Sequence, residues 1–133
     1  MKLHLFRRHG RLSYHNSMLE FQPKDGNHGV LFYGRSEDAE ILRKLGMNCV
    51  LTSPASVIGA SGYSALFAVS GNTTGNLMLC RKMRLLNGEI PIIARCGDPD
   101  LIDNFEEAGV GRILTAGEHL SEVLSDYRRL KRD

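Results

Sequence analysis

The chain has 133 residues, of which 42% are hydrophobic and 24% charged, a composition that fits one domain able to bury roughly two-thirds of its unfolded surface. Its formal net charge of +2 is too small to indicate binding to nucleic acid through phosphates. Three cysteines without C-x-x-C spacing argue against a disulfide framework or a zinc site, and the lack of a long apolar run or signal-peptide core predicts a cytoplasmic protein.

The first 29 residues are the least regular part of the sequence. Residues 2–6 alternate as a strand does, and residues 18–21 are a second candidate strand. The stretch between them is too short for a crossover helix of ordinary length. We therefore expect a shortened first βαβ crossover, or a hairpin, at this end of the chain.

From Val30 onward, short apolar runs alternate with amphipathic ones, which is typical of a parallel sheet covered by helices. An apolar run over residues 30–33 is followed by Ser36, a candidate N-cap, and by a helix that Gly46 ends. Residues 47–63 are interpreted as an insertion with little regular structure, although residues 49–51 are compatible with a short strand.

Residues 65–69 form a continuous apolar run, which predicts a central strand buried on both faces. The helix that follows has apolar residues almost all round, so we expect it to be deeply packed up to Gly88. Residues 90–94 and 112–114 predict two more strands, with a helix started by Asp98-Pro99 between them. A final helix begins near Glu118. These elements predict a Rossmann-like three-layer α/β/α sandwich with a mostly parallel sheet.

Three blocks of this sequence, VLFYGRSEDAEILRKLG, ALFAVSGNTTGNLMLC and IPIIARCGDPDLIDNFEEAGVGRIL, resemble the second half of the Trk-type potassium-uptake regulatory domain, also called the RCK N-terminal or TrkA-N domain. Members of that family show T-x-D-D-x-x-N-L after one strand and I-I-A-R-x-x-D-P on the next. The single domain at residues 1–133 therefore divides into a degenerate first half (1–29), an RCK-like part (30–127) and a basic tail (128–133).

The resemblance implies a regulatory, non-catalytic module like the nucleotide-sensing domain of potassium transport systems. It implies a homodimer or higher homo-oligomer, a membrane potassium transporter or channel as partner, no nucleic-acid partner, and a cytoplasmic location at the inner face of the membrane. The shortened first half also predicts association, because Leu5, Phe21 or Phe32 would otherwise leave apolar sheet surface uncovered.

Ligands of open α/β sheets bind beyond the carboxyl ends of the strands, where the strand order changes. This predicts contacts from the residues that follow three strands: Gly34, Arg35, Ser36, Ser70, Gly71, Asn72, Thr73 and Arg95. Arg95 matches an arginine that contacts phosphate in the family, and the backbone N–H groups from Gly71 to Gly75 are a further candidate anion site. No cofactor is fixed by these motifs, and the resemblance implies ADP, ATP or NAD(H).

Several positions depart from a dinucleotide site. Around residues 8–13 only Gly10 remains of the G-x-G-x-x-G pattern, and Asp25 is the one acidic candidate after the second strand. Arg35 stands where the family has an aspartate after its third strand, and residues 72–74 replace an acidic pair. We therefore expect the NAD site to be degenerate.

Two alternatives remain open. One is an adenine-nucleotide sensor that uses Arg95 and the loop from Ser70 to Gly75. The other is a pseudo-receiver interaction domain, because the C-terminal half also resembles response-regulator receivers, although Val69-Ser70 stands where a phosphorylated aspartate is expected and Ala116 where the lysine of L-x-K-P is expected. No nucleophile elbow, phosphate-binding P-loop or histidine pair with metal-ligand spacing occurs, so we expect no catalysis and no metal.

Overall fold

The computed structural model describes residues 29–56 and 62–124. Several predictions concern residues outside these ranges: the shortened crossover, Gly10 and Asp25, Leu5 and Phe21, and the basic tail. In the described residues, no helix has the length and apolar character needed to cross a membrane.

Five strands alternate with helices along the described chain. In order they are β1 (Gly29–Tyr33), α1 (Ser36–Lys44), β2 (Cys49–Leu51), β3 (Tyr63–Ala68), α2 (Thr73–Leu86), β4 (Ile92–Arg95), a 3-10 turn (Pro99–Leu101) that runs into α3 (Ile102–Glu107), β5 (Arg112–Leu114) and α4 (120–124). The strands form one sheet in the order β2-β1-β3-β4-β5. All four described pairings are parallel, which confirms the predicted sheet.

Helices cover both faces of the sheet. Ala39 and Leu42 of α1 pack with Leu120 of α4 in one apolar cluster, which also contains the buried rings of Phe32 and Phe67. Residues of α2 and α3 form a second cluster on the other face. The three-layer α/β/α sandwich predicted from the sequence is therefore confirmed.

Local sequence explains most helix ends. Asn72 caps α2 by accepting a hydrogen bond from Gly75 N, and Asp98 accepts one from Asp100 N ahead of the 3-10 turn. Gly46 follows α1 and Gly109 follows α3, both at positive φ, the conformation that most often ends a helix. The prediction for Ser36 was wrong by one position, because Arg35 is the cap residue and makes no side-chain capping bond.

The interpretation of residues 47–63 as a largely irregular insertion was wrong at both ends. Cys49–Leu51 form β2, which is the last strand on one side of the described order and pairs with β1, and Tyr63 already begins β3. A three-residue strand with two half-buried residues and one exposed residue leaves little hydrophobic pattern in the sequence. Among the described strands it pairs with β1 alone.

The strand order also corrects the position given to residues 30–33. The family resemblance assigns these residues to the third strand of the sheet. In the Rossmann order 3-2-1-4-5-6, that strand lies at the sheet edge. Instead β1 pairs with both β2 and β3. Val30, Leu31 and Phe32 are all buried, and apolar side chains on both faces suit a strand with neighbours on both sides.

Two predictions about exposed apolar surface were wrong. Phe32 is 0% exposed, because α1 and α4 cover its face of the sheet. Conversely, α2 is not deeply packed all round, since Leu85 is 89% exposed and Leu86 54%. The core therefore lies within the described layers, while an apolar part of α2 faces outward.

Candidate functional site

A cleft of about 470 Å³ opens at the carboxyl edge of the sheet. It is lined by α1 and the loop before it (Arg35, Asp38, Ile41), by the ends of β3 and β4 (Val69, Gly71, Arg95) and by the segment around the start of α4 (Gly117, Glu118, His119, Leu120, Ser121). Three predicted site residues, Arg35, Gly71 and Arg95, thus line one cleft. Gly34, Ser36, Ser70, Asn72 and Thr73 are not among its lining residues.

The strand order places this cleft at a topological switch. After β1 the chain moves to one side to form β2, and then crosses to the other side of β1 to form β3. The loops after β1 and β3 consequently diverge and leave a crevice between them. Arg35 lies on one side of that crevice and Gly71 on the other.

Asn76, in the second turn of α2, ties the ends of two strands together. Its side chain is completely buried. The amide nitrogen donates to the carbonyl oxygens of Ser70 at 3.0 Å and Arg95 at 2.9 Å. Its oxygen accepts from the Ser70 backbone N–H at 3.1 Å and from the Ser70 hydroxyl at 2.7 Å. The loop after β3 and the end of β4 are thereby held as one unit.

Most polar groups of the loop after β3 are used within the protein. Asn72 Oδ1 accepts from Gly75 N, so this N–H is not available as the predicted anion donor. Thr73 Oγ1 accepts from Gly97 N, which joins the loops after β3 and β4 a second time. Ser70, Asn72 and Thr73 therefore build the site wall.

Arg95 lies at the end of β4 and reaches across the cleft. Its Nη1 donates to the backbone oxygen of Glu118 at 2.8 Å. A guanidinium has five N–H donors, and this bond uses one of them. The Asp98 side chain caps the following turn, and no ion pair joins it to Arg95 among the described residues. Arg95 is thus a positioned cation in the wall of the cleft.

Arg35 is held much more loosely. Its Nε lies 4.0 Å from the carboxylate of Glu37, and both side chains are 75% exposed. An ion pair at this distance in water contributes little to orientation. The cleft therefore has one fixed and one adjustable arginine.

A network beyond β5 fixes the segment that receives Arg95. The Glu118 carboxylate accepts bonds from the backbone N–H and the hydroxyl of Thr115 at 2.8 and 3.0 Å, and it pairs with Arg112 at 3.3 Å. Burial acts to raise the pKa of Glu118, but these hydrogen bonds and the Arg112 charge outweigh it, so that pKa lies below its ordinary value.

Neither Asn76 nor Glu118 was among the predicted site residues, although both had a signal in the sequence. Asn76-Leu77 coincides with the N-L of the family motif T-x-D-D-x-x-N-L, read against residues 70–77. Thr115 and Glu118 show the T-x-x-E spacing that permits a local side-chain to backbone bond.

With β1 in the central position, its loop is the one that carries the glycine pattern in a dinucleotide site. If Gly34 is the middle glycine, Phe32 and Glu37 occupy the other two glycine positions. A Cβ on Gly34 would lie 3.0 Å from the Phe32 ring, so side chains already fill this turn. After β2, Thr52 and Ser53 provide no carboxylate for a ribose. At these positions the sequence departs from the pattern of a dinucleotide site.

Other reactive groups of the described residues lie apart from the cleft or in the core. Among the described residues, no cluster of histidine, cysteine, aspartate or glutamate is arranged to hold a metal ion. Burial raises the pKa of the Cys80 thiol to about 12, which makes it a core residue rather than a nucleophile.

Residues 55–116 match the family model of the TrkA-N domain. The match confirms the family resemblance and covers β3, α2, β4 and β5, the part that contains Asn76 and Arg95. No curated protein matches the chain at a significant level.

Three solved structures illustrate the similarity of fold. The GsuK channel bound to NAD is 18% identical with a TM-score of 0.55, over 70% of this chain and 22% of that one. The TrkA-N domain of inner membrane protein ybaL from Escherichia coli is 17% identical with a TM-score of 0.51, over 80% and 98%. A two-component response regulator from Clostridium difficile is 18% identical with a TM-score of 0.58, over 77% and 94%.

These three likenesses establish the fold and nothing further. The chain spans only about a fifth of the length of the GsuK channel chain that it resembles.

Proposed function

We propose that this protein is a regulatory, non-catalytic module of a potassium transport system that senses a small phosphorylated ligand, with a degenerate dinucleotide site. The observation that carries the proposal is the position of Arg95: it lies within the TrkA-N match, lines the cleft at the switch in strand order and is oriented by Glu118 O. A positioned guanidinium suits a phosphate, which it can bind through two parallel hydrogen bonds.

The loop after β1 supports an adenine mononucleotide over NAD(H). Dinucleotide binding needs close approach of the pyrophosphate to a glycine-rich turn, and Phe32 and Glu37 occupy two of those glycine positions. ADP or ATP can place its phosphates on Arg95 without that turn. Arg35, exposed on the facing side, supplies a second charge that moves to meet the ligand.

The proposed signal passes through Asn76. Because Asn76 bonds both Ser70 and Arg95, a ligand that orders Arg95 also orders the loop that carries Gly71. We assign the output to self-association or to a membrane potassium transporter or channel, which places the module in the cytoplasm, and we assign no chemical step to the cleft.

Thermal unfolding with millimolar ADP, ATP or NADH tests ligand binding. A ligand that binds only the native state raises the melting temperature. We expect ADP or ATP to do so, NADH to do so less, and Arg95→Ala to reduce the shift. Arg81→Ala is the matched control, since Arg81 is an exposed arginine of α2 outside the cleft lining. Absence of a shift with all three nucleotides contradicts the proposal, and release of inorganic phosphate from ATP contradicts its non-catalytic part.

A second candidate is a receiver-like interaction domain without phosphotransfer. The described strand order β2-β1-β3-β4-β5 is that of receiver folds, while Ser70 and Ala116 supply neither the phosphorylated aspartate nor the lysine. A chain that associates but shows no thermal shift with any nucleotide favours this candidate.

A further inference from the structure

His119 lies at the rim of the cleft, just before the first residue of α4. The residue is exposed, and it lines the cleft together with Arg35 and Arg95. These three residues belong to separate parts of the chain: the start of α4, the loop before α1 and the end of β4. The proposed function uses the two arginines and assigns no task to the imidazole of His119.

A single peptide group brings Arg95 next to His119. The carbonyl oxygen of Glu118, which accepts a hydrogen bond from Arg95 Nη1 at 2.8 Å, belongs to the peptide bond between Glu118 and His119. The guanidinium of Arg95 therefore lies beside the backbone of His119, and its remaining N–H donors are left for an anion. An anion that binds Arg95 is consequently also close to His119.

The backbone of His119 is held on both sides of the residue. Its N–H donates to Glu122 Oε1 at 3.3 Å, which is one half of a capping box at the start of α4. The Glu122 N–H donates in turn to the carbonyl oxygen of His119 at 3.0 Å. The next residue, Leu120, is buried in the core. The imidazole is thus attached to a fixed backbone at the rim, and only its side-chain rotation adjusts.

The two acidic side chains of this segment have other partners. The Glu118 carboxylate accepts from Thr115 and pairs with Arg112, and Glu122 accepts the backbone N–H of His119. Among residues 29–56 and 62–124, no acidic side chain forms an ion pair with the imidazole. Its ring nitrogens are therefore available to a ligand. The charged groups that surround it at the cleft are Arg35, Asp38, Arg95, Glu118 and Glu122.

We propose that His119 is a third anion-binding residue of the cleft and that it takes up a proton when a phosphorylated ligand binds. Histidine changes its charge between about pH 5 and pH 8 in proteins, and a phosphate held by Arg95 favours the cationic imidazolium through direct attraction. Imidazolium donates from both ring nitrogens. Ligand and proton therefore bind cooperatively. This inference rests on the proposed function and adds pH as a second signal at the same cleft.

The ligand's own ionisation acts in the opposite direction. A terminal phosphate gains a proton near about pH 6, which weakens its attraction to Arg35 and Arg95 as the pH falls. Sulfate keeps its charge over this range, so it is a probe whose own ionisation contributes nothing. Binding of sulfate that strengthens as the pH falls therefore reports proton uptake by the protein.

NMR of the full chain measures the protonation of His119 directly. The ring resonance of His119 is the one that disappears in His119→Gln. At neutral pH we expect sulfate, and also ADP, to raise the protonated fraction of His119, because an anion that prefers the cationic form must by linkage increase its population. A histidine with a merely structural role at the start of α4 does not respond to these anions.

The affinity for sulfate gives the second measurement. We expect it to rise by up to about tenfold per pH unit for one coupled proton, between about pH 8 and pH 6. His119→Gln should lose this dependence, and His119→Lys should keep the affinity of the acid form at both ends of the range. Arg81→Gln is the matched control, since it removes an exposed charge outside the cleft lining and should leave the dependence unchanged. Circular dichroism confirms that each variant is folded.

The same pH dependence in His119→Gln as in the unmodified chain overturns the proposal, and so does a His119 resonance that neither sulfate nor ADP changes. The proposed function fails separately. If ADP raises the melting temperature while the protonation of His119 stays constant, nucleotide sensing stands and the role of His119 is removed. If no nucleotide binds but sulfate raises the protonation of His119, the anion site stands and nucleotide sensing is removed.

Discussion

The two sides of the cleft differ in how firmly their side chains are held. On the β3–β4 side, the buried Asn76 bonds the loop and the strand end next to the ligand position. On the β1 side, the backbone is bonded at both ends of the strand, since Val30 N donates to Asn48 O at 2.9 Å and Val69 N to Tyr33 O at 2.8 Å, while the Arg35 side chain at the cleft is 75% exposed. The side chains of one wall are preorganised at the site, whereas the exposed Arg35 side chain of the other wall is free to adjust.

The largest expected loss of stability comes from a substitution at Gly29, the first residue of β1. Gly29 has φ +103°, and a Cβ there would lie 2.1 Å from the backbone oxygen of Asn48. Gly29→Ala should therefore lower the free energy of unfolding by more than about 3 kcal/mol, since both the backbone conformation and the contact become unfavourable. Urea unfolding measures this. Gly71→Ala is the control, because nothing lies within 4 Å of a Cβ at Gly71, and an equal loss in both variants contradicts the interpretation.

The second-largest loss of stability is expected at the carboxyl ends of β3 and β4, where Asn76 bonds both strand ends. Asn76→Ala leaves the buried carbonyls of Ser70 and Arg95 without their donor, and we expect a loss of about 2–4 kcal/mol in the free energy of unfolding. Asn72→Ala removes only a helix cap, for which about 1 kcal/mol is typical. If Asn76→Ala lowers the free energy of unfolding no more than Asn72→Ala does, as measured by urea unfolding, the Asn76 bonds do not hold the ends of β3 and β4 together.

A smaller effect should follow from the segment after β5. Because the pKa of Glu118 is lowered in the folded state, its contribution to stability is present above the ordinary pKa and is lost as pH falls through the folded pKa. Glu118→Gln should therefore lower the free energy of unfolding at neutral pH, by less than about 1 kcal/mol given solvent screening. It should also flatten the pH dependence below the ordinary carboxyl range. Melting curves between neutral and acidic pH test this, and an unchanged pH profile contradicts it.

The smallest effect on stability is expected at Arg35, in the loop that follows β1. Arg35→Ala should change the free energy of unfolding by no more than about 0.5 kcal/mol, because its pairing with Glu37 is exposed and long. A loss above 1 kcal/mol in urea unfolding would show that this loop is as ordered as the facing wall.

The elements were predictable where local chemistry specifies them. Continuous apolar runs indicated β1, β3 and β4, and Asp98-Pro99 together with Gly109 bounded the turn and helix between β4 and β5. Strand β2 was left open, because two half-buried residues and one exposed residue are too few to show a periodicity. The position of β1 was missed for a different reason: parallel strands with similar connections look alike in sequence, and nothing local states on which side the next strand joins.

The location of the site was predicted from the sequence, but the side chains that face the ligand were not. The rule on strand ends identified the loops and Arg95, but which polar groups face the ligand depends on long-range bonds. In the sequence, Asn76 looks like an ordinary polar residue of a helix. Its hydrogen-bond partner, the carbonyl of Arg95, is 19 positions away in the chain and comes close only in the folded protein. Likewise, the exposure of Leu85 depends on where α2 lies relative to β3 and β4.

The pairing of β1 with β3 also sets a condition on how the protein folds. The Ser64 hydroxyl donates to the carbonyl of Gly29 across 35 positions of chain, so the central contact of the sheet requires closure of a long loop before any burial offsets its entropy. Helices α1 and α2 need no such closure. We expect their turns to form first and the β1–β3 contact to determine the folding rate, which makes the strand nearest the cleft the slowest to reach its place.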